Sequence, residues 1–305
     1  MGGGPTGEQL EITRGTARAV ITSVGASLRA YEVDGVPYVE TFGADDAPPL
    51  GCGAVLVPWP NRVAGARWHH DGEQLDLEIS EPARGNAIHG LVRREPWQVA
   101  EHTGNSVMLA IDVPVRPGWP FPFRTSITYE LEDGGLTVTH GVHNAGQRDM
   151  PFGVGTHPYP RPGAVDVDSC ELVLAAETVL PVDRDSLNPT GEPLEVVNTE
   201  LDFRGGRPIR DVELDTAFGR CVPGEDGLVR HRITQDGHGV ELWAQAKFSW
   251  VQVFTAAEFP GKGARAVAVE PMTCPPDALN SGVDLITLAP GETWLGTWGV
   301  RPLRG

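Results

Sequence analysis

Two residues of opposite proton chemistry each directly precede a proline in this 305-residue chain: Glu270 before Pro271, and His157 before Pro158. A following proline disfavours the helical region and holds the preceding residue extended, so both side chains are aimed from stiffened backbone. A carboxylate is available as a base at neutral pH, and a histidine can hold a proton there if a nearby carboxylate raises its affinity. Such a pair suits a reaction that removes a proton from one oxygen and delivers one to another. It calls for no redox centre or nucleophile, and none is conspicuous.

Six short segments gather polar or titratable residues beside aromatics and prolines: PWPNRV (58–63), NAIHGLVRR (86–94), GTHPY (155–159), ELDTAF (213–218), WVQVFT (250–255) and VEPMTCPPDALN (269–280). Strand alternation along ARAVAVE puts Ala266, Ala268 and Glu270 on one face and Val267 and Val269 on the other. The small side chains leave space for a ligand above the glutamate's face. In the same way Gln252 shares a face with Trp250 and Phe254, while Val251 and Val253 point towards a core. Aromatic surface beside an amide is what a sugar cleft wants. Each residue also has a plainer reading. Asp215 and Asn61 fit turn caps, Arg62 a surface cation, and His89 before Gly90 a turn. Trp59, Trp97 and Trp119 fit core or loop anchors, and Cys274 a bystander.

The elements that must hold these residues are strands. Asp-Gly pairs at 34–35, 71–72, 133–134 and 236–237 separate alternating apolar and polar segments, the sequence mark of a β-hairpin with positive φ at both turn positions. Ile127, Tyr129 and Leu131 alternate with polar neighbours before the third turn, and Leu136 and Val138 do so after it. No segment shows convincing helical amphipathicity. The 38 glycines and 27 prolines fall mostly between the strands. The expectation is an all-β fold, a large antiparallel β-sandwich, forming one domain over 10–305 after a flexible tail over 1–9.

Taken in order along an all-β chain of this length, the six segments resemble the aldose 1-epimerase (galactose mutarotase) family, across most of the chain. The resemblance implies a galactose mutarotase-like supersandwich with an open sugar cleft, and catalysis by one glutamate and one histidine without metal or cofactor. It implies Glu270 as the base and His157 as the acid. It also implies sugar contacts from Asn61, Arg62, His89, Asp215 and Gln252. Arg93 and Arg94 resemble the basic continuation after His-Gly in sugar-phosphate relatives, which makes them candidate anion or substrate contacts. The implied activity is interconversion of the α and β anomers of a free aldohexose. A hexose-6-phosphate 1-epimerase remains open, with a sulfonated sugar as a further option. A glycosidase using Asp215 and Glu270 as its carboxylate pair remains open too, as does a sugar-binding protein without catalysis.

Composition narrows the partners. Hydrophobic residues at 40% and charged ones at 21% are ordinary for a globular protein. A net charge of −17 repels nucleic acid and anionic membrane, leaving a small sugar as the expected partner of a monomer or homodimer. The four cysteines are scattered without the close pairs of zinc sites and read as free, mostly buried thiols. No apolar run is long enough for a bilayer, and the first residues lack the pattern of a signal peptide, so a cytoplasmic location is expected.

Overall fold

A computed structural model describes residues 4–304. Strands dominate it, and every named strand pair is antiparallel; the α-helix among the described residues is the short Ala278–Ser281. Two large sheets form the body. One has nine strands and includes Ser106–Val113, Phe123–Glu132, Gly135–Asn144, Thr293–Leu303 and His238–Gln245 as hydrogen-bonded neighbours in that order. The other has seven, with Asp215–Cys221, Trp250–Ala256, Ala266–Met272, Gly155–Thr156 and Val55–Leu56 adjacent in that order. A four-stranded sheet opens the chain, from Gln9–Arg14 to Val36–Pro37.

Alternation decides what each sheet buries. Ile127, Tyr129, Leu131, Val138 and Val300 of the nine-stranded sheet join Val251, Val253, Val267 and Val269 of the seven-stranded sheet in one apolar cluster. In the seven-stranded sheet the odd-numbered valines therefore face the core, as the period of two requires, and the even-numbered positions face the other way. Ala266 and Ala268 depart from expectation. The space above them is filled by Tyr159, Phe259, Phe42 and Cys52 rather than left for a ligand, because two small side chains admit aromatic rings from neighbouring loops.

Hairpins form at all four Asp-Gly pairs, with Val33 opposite Val36, His70 opposite Glu73, Glu132 opposite Gly135 and Gln235 opposite His238. Asp34-Gly35, Asp71-Gly72 and Asp236-Gly237 have the expected positive φ at both positions. In the remaining turn the positive φ falls one residue later, on Gly135 at 137°. A Cβ there would come within 2.4 Å of the Val300 carbonyl oxygen, so only glycine fits between the strands.

Of the tail expected over 1–9, residues 1–3 lie outside the described residues. Thr6 is fully buried and donates its hydroxyl hydrogen to the Ala44 carbonyl, and the first strand begins at Gln9. The packed structure thus reaches back at least to Thr6. All four cysteines are buried and free, and Trp59, Trp97 and Trp119 are buried anchors, with Trp119 stacked near Trp59 and Trp68. Among the described residues no helix is long and apolar enough to cross a membrane.

Candidate active site

Three neighbouring strands of the seven-stranded sheet supply one polar row. Ala217 lies opposite Gln252, and Gln252 opposite Glu270, while Asp215 sits two residues before Ala217 on the same strand face. Gln252 donates through Nε2 to Asp215 Oδ1 at 2.7 Å. His157 enters from the far side. It directly follows Gly155–Thr156, the strand beside Ala266–Met272, and its backbone is pinned by bonds from its N–H to Ala54 O and from the Gly53 N–H to its carbonyl. Its ring stacks on Tyr159 at 5.3 Å, and Tyr159 donates its hydroxyl hydrogen to the Leu50 carbonyl.

The result is a cavity of about 380 Å³ whose lining includes His157, Glu270, His89, Gln252, Asp215 and Arg62. Asn61 lines it as well, so all seven residues expected to act on a sugar meet there. His157 Nε2 lies 3.4 Å from Glu270 Oε1, and the two residues are 5% and 1% exposed. Arg62 is buried rather than a surface cation. Its guanidinium donates through Nε and Nη2 to the two oxygens of Glu81 at 2.9 and 3.0 Å, with Asp215 Oδ2 3.6 Å from Nη2.

Backbone strain gathers at the same place. Asn61, His89 and Leu50 have φ of 53°, 64° and 49°, left-handed values that non-glycine residues seldom take and that cluster at functional sites. Local bonds hold them there: Asn61 Oδ1 accepts the Arg62 N–H, and the His89 N–H donates to Asn61 O. Asn61 thus does cap its own turn, and it lines the cavity at the same time.

Desolvation governs the electrostatics. Burial pushes the Glu270 carboxyl well above its ordinary range, with Asp215 raising it further and Arg62 opposing. Burial likewise pushes His157 down to about 3, and it lowers His89 strongly, with His157 adding to that fall. The condition under which His157 would hold a proton at neutral pH, a carboxylate that raises its affinity, is not met in this cavity, where desolvation is the largest influence and Arg93 adds to the fall. Both members of the pair favour their uncharged forms. Several polar atoms point inward without a hydrogen-bond partner among the described residues: His89 Nδ1, His157 Nδ1, Gln252 Oε1 and Glu270 Oε2. Buried polar groups are normally satisfied, so these atoms mark where a polar ligand would bond.

Arg93 and Arg94 fall outside this cavity. They line a neighbouring one of about 610 Å³, which shares Leu50, Glu81, Ile88 and His89 with the first. Arg94 is exposed, while Arg93 is half-buried, forms no ion pair among the described residues, and is pushed down to about 10 by burial, with Arg94 adding to the fall. Glu81 and Tyr159 are the positioning residues that sequence reasoning missed. Tyr159 stood inside the quoted GTHPY segment and was given no role. Glu81 stands in the polar run SEPARGN, 19 residues from the arginine it grips, and nothing local in the sequence signals that pairing.

Comparison with known proteins places the chain in a family. The aldose 1-epimerase family profile matches residues 8–300. An uncharacterized Escherichia coli (strain K12) protein, YihR, is 33% identical over 288 residues, covering 94% of this chain and 91% of that protein. A maltose epimerase of Levilactobacillus brevis is 27% identical, covering 88% and 85% of the two chains. Among solved structures, a galactose mutarotase-like protein from Clostridium acetobutylicum superposes with a TM-score of 0.83 at 18% identity, covering 97% of this chain and 95% of that one, which shows the shared fold. With the match running from the first strand into the last, the chain belongs to the aldose 1-epimerase family.

Proposed function

We propose that the protein is a mutarotase that interconverts the α and β anomers of a free aldohexose in the cytoplasm, with Glu270 and His157 as its proton-transfer pair. The observation that carries this reading is their 3.4 Å contact in a buried cavity also lined by Arg62, Asp215 and Gln252.

Two arrangements of one shared proton serve the two halves of the reaction. With the proton on His157, the Glu270 carboxylate takes the proton of the C1 hydroxyl while His157 gives its own to the ring oxygen. The C1–O5 bond breaks, its electron pair takes the arriving proton, and C1 becomes an aldehyde. That leaves a neutral carboxyl and a neutral imidazole, the forms that burial favours. Rotation about C1–C2 and reclosure with the proton flow reversed yield the other anomer. Positioned acid and base contribute about 10²- to 10⁴-fold each. Arg62, Asp215, Gln252, Asn61 and His89 bond the remaining hydroxyls, and no cofactor enters the scheme.

A second reading, an anionic sugar such as a hexose 6-phosphate, is favoured by the half-buried Arg93 in the adjoining cavity, which forms no ion pair among the described residues. The net charge of −17 weighs against long-range attraction of an anion. Polarimetry of freshly dissolved α-glucose and α-galactose, with and without the protein, tests the first reading. Faster equilibration that is lost in Glu270→Gln and His157→Ala supports it. Acceleration of sugar 6-phosphates alone replaces it with the second, and release of free sugar from aryl glycosides would indicate a hydrolase.

A further inference from the structure

We propose that His89, His157 and Glu270 together form a binding site for a divalent transition-metal ion of the zinc type, and that the ion competes with sugar for the cavity. Each of the three residues is buried and can offer one nitrogen or oxygen, and those atoms lie within 4.8 Å of one another. The His89 and His157 rings meet edge to face with centroids 5.3 Å apart, and His157 already touches Glu270. Zinc bonds to nitrogen and oxygen donors at about 2.0–2.2 Å, so drawing in the widest pair takes side-chain movement of about an ångström.

Three features select this chemistry. Two imidazoles and one carboxylate suit zinc, copper or nickel, whereas magnesium and calcium prefer sets made of oxygen. His89 Nδ1, His157 Nδ1 and Glu270 Oε2 have no hydrogen-bond partner among the described residues, so ligation would not first have to break a protein bond at those atoms. Three protein ligands leave a fourth position for water or a sugar hydroxyl, and all three line the same cavity. Sequence alone gives no hint of it, because the ligands at 89, 157 and 270 share no local motif.

Binding rests on this geometry alone; only its effect on turnover rests on the proposed function. Calorimetric titration of Zn²⁺ into the full chain, without sugar and in a buffer that does not chelate, separates the two. The expected result is one ion per chain, with affinity falling at least about tenfold in each of His89→Ala, His157→Ala and Glu270→Gln. Each variant is first shown by circular dichroism to be folded. Zn²⁺ should also raise the thermal midpoint of the wild type, since an ion that binds only the folded state stabilises it. Absence of one-to-one binding, or affinity retained in any one of the three variants, overturns the proposal. Neither outcome bears on mutarotation measured in metal-free buffer.

Discussion

His157 Nε2 and Glu270 Oε1 stand 3.4 Å apart with both side chains shut away from water. A pair this close titrates as a unit, and the chemistry needs it to hold one mobile proton. Adding a second proton charges a buried imidazole, which burial opposes, holding His157 near 3. Removing the last proton leaves a lone buried carboxylate, which burial and Asp215 oppose. The acid limb of kcat/KM should therefore lie well below the ordinary imidazole range, and the alkaline limb should lie above the ordinary carboxylate range. An acid limb centred at ~6.5, the value of an unperturbed histidine, would contradict this account.

Glu81 holds Arg62 in a two-pronged bond at 2.9 and 3.0 Å, and Arg62 Nη2 also lies 3.6 Å from Asp215 Oδ2. Glu81→Gln should free the guanidinium and raise KM more than it lowers kcat, because the group positions substrate rather than moving a proton. Arg62→Ala should cost less than the about 3–5 kcal/mol of a fully stranded buried charge, because Glu81 keeps Arg84 at 3.6 Å and the Asn86 amide at 3.3 Å. Steady-state kinetics and urea unfolding check the two claims. A kcat loss with unchanged KM in Glu81→Gln would move Glu81 from positioning to chemistry.

Much of this site was legible in the sequence because its parts announce themselves locally. The alternation around Gln252 and Glu270 fixed their face, and the prolines after His157 and Glu270 marked extended backbone. Pairings across long separations were not legible. Glu81 with Arg62, Tyr159 under His157, and the aromatic cover over Ala266 and Ala268 all depend on how loops return to the sheet. Proton affinities were illegible for the same reason: desolvation is set by packing, and it is what lowers His157. Arg93 and Arg94, candidate anion or substrate contacts, line the neighbouring cavity and not the one that holds Glu270 and His157.

Gly51 is left-handed at φ 76°, and a Cβ there would stand 3.0 Å from His157 Cδ2 and 3.2 Å from Nε2. Gly51→Ala should both strain the backbone, by about 1–3 kcal/mol, and push the imidazole off its mark. A misplacement of about an ångström at a reacting group can cost on the order of 10²-fold in rate. The variant should fold with a lowered thermal midpoint and lose most of its kcat. Full activity at the lowered midpoint would show that the His157 ring has room to move.

Two histidines outside the site predict acid lability. His140 Nε2 accepts the Trp298 indole N–H at 2.9 Å, and His231 Nδ1 accepts the Ala175 N–H at 3.3 Å. Burial lowers them to about 3 and about 4. Because the folded state keeps both neutral while the unfolded chain protonates them near ~6.5, stability is full above that pH and is lost as pH falls towards 4. Once the unfolded imidazoles are protonated, each contributes a slope of about 1.4 kcal/mol per pH unit. Denaturant midpoints measured from pH 7 to 5 should fall steadily, more weakly in His140→Gln; a flat profile would contradict the buried neutral assignment.

The central claim, that Glu270 moves the proton which opens the sugar ring, is tested most directly by magnetisation-exchange NMR on glucose at anomeric equilibrium. Wild-type protein should raise the α-to-β exchange rate, and Glu270→Gln, which keeps the side-chain shape but cannot act as a carboxylate base, should lower that enhancement by about 10²- to 10⁴-fold. Undiminished exchange with folded Glu270→Gln would contradict the account.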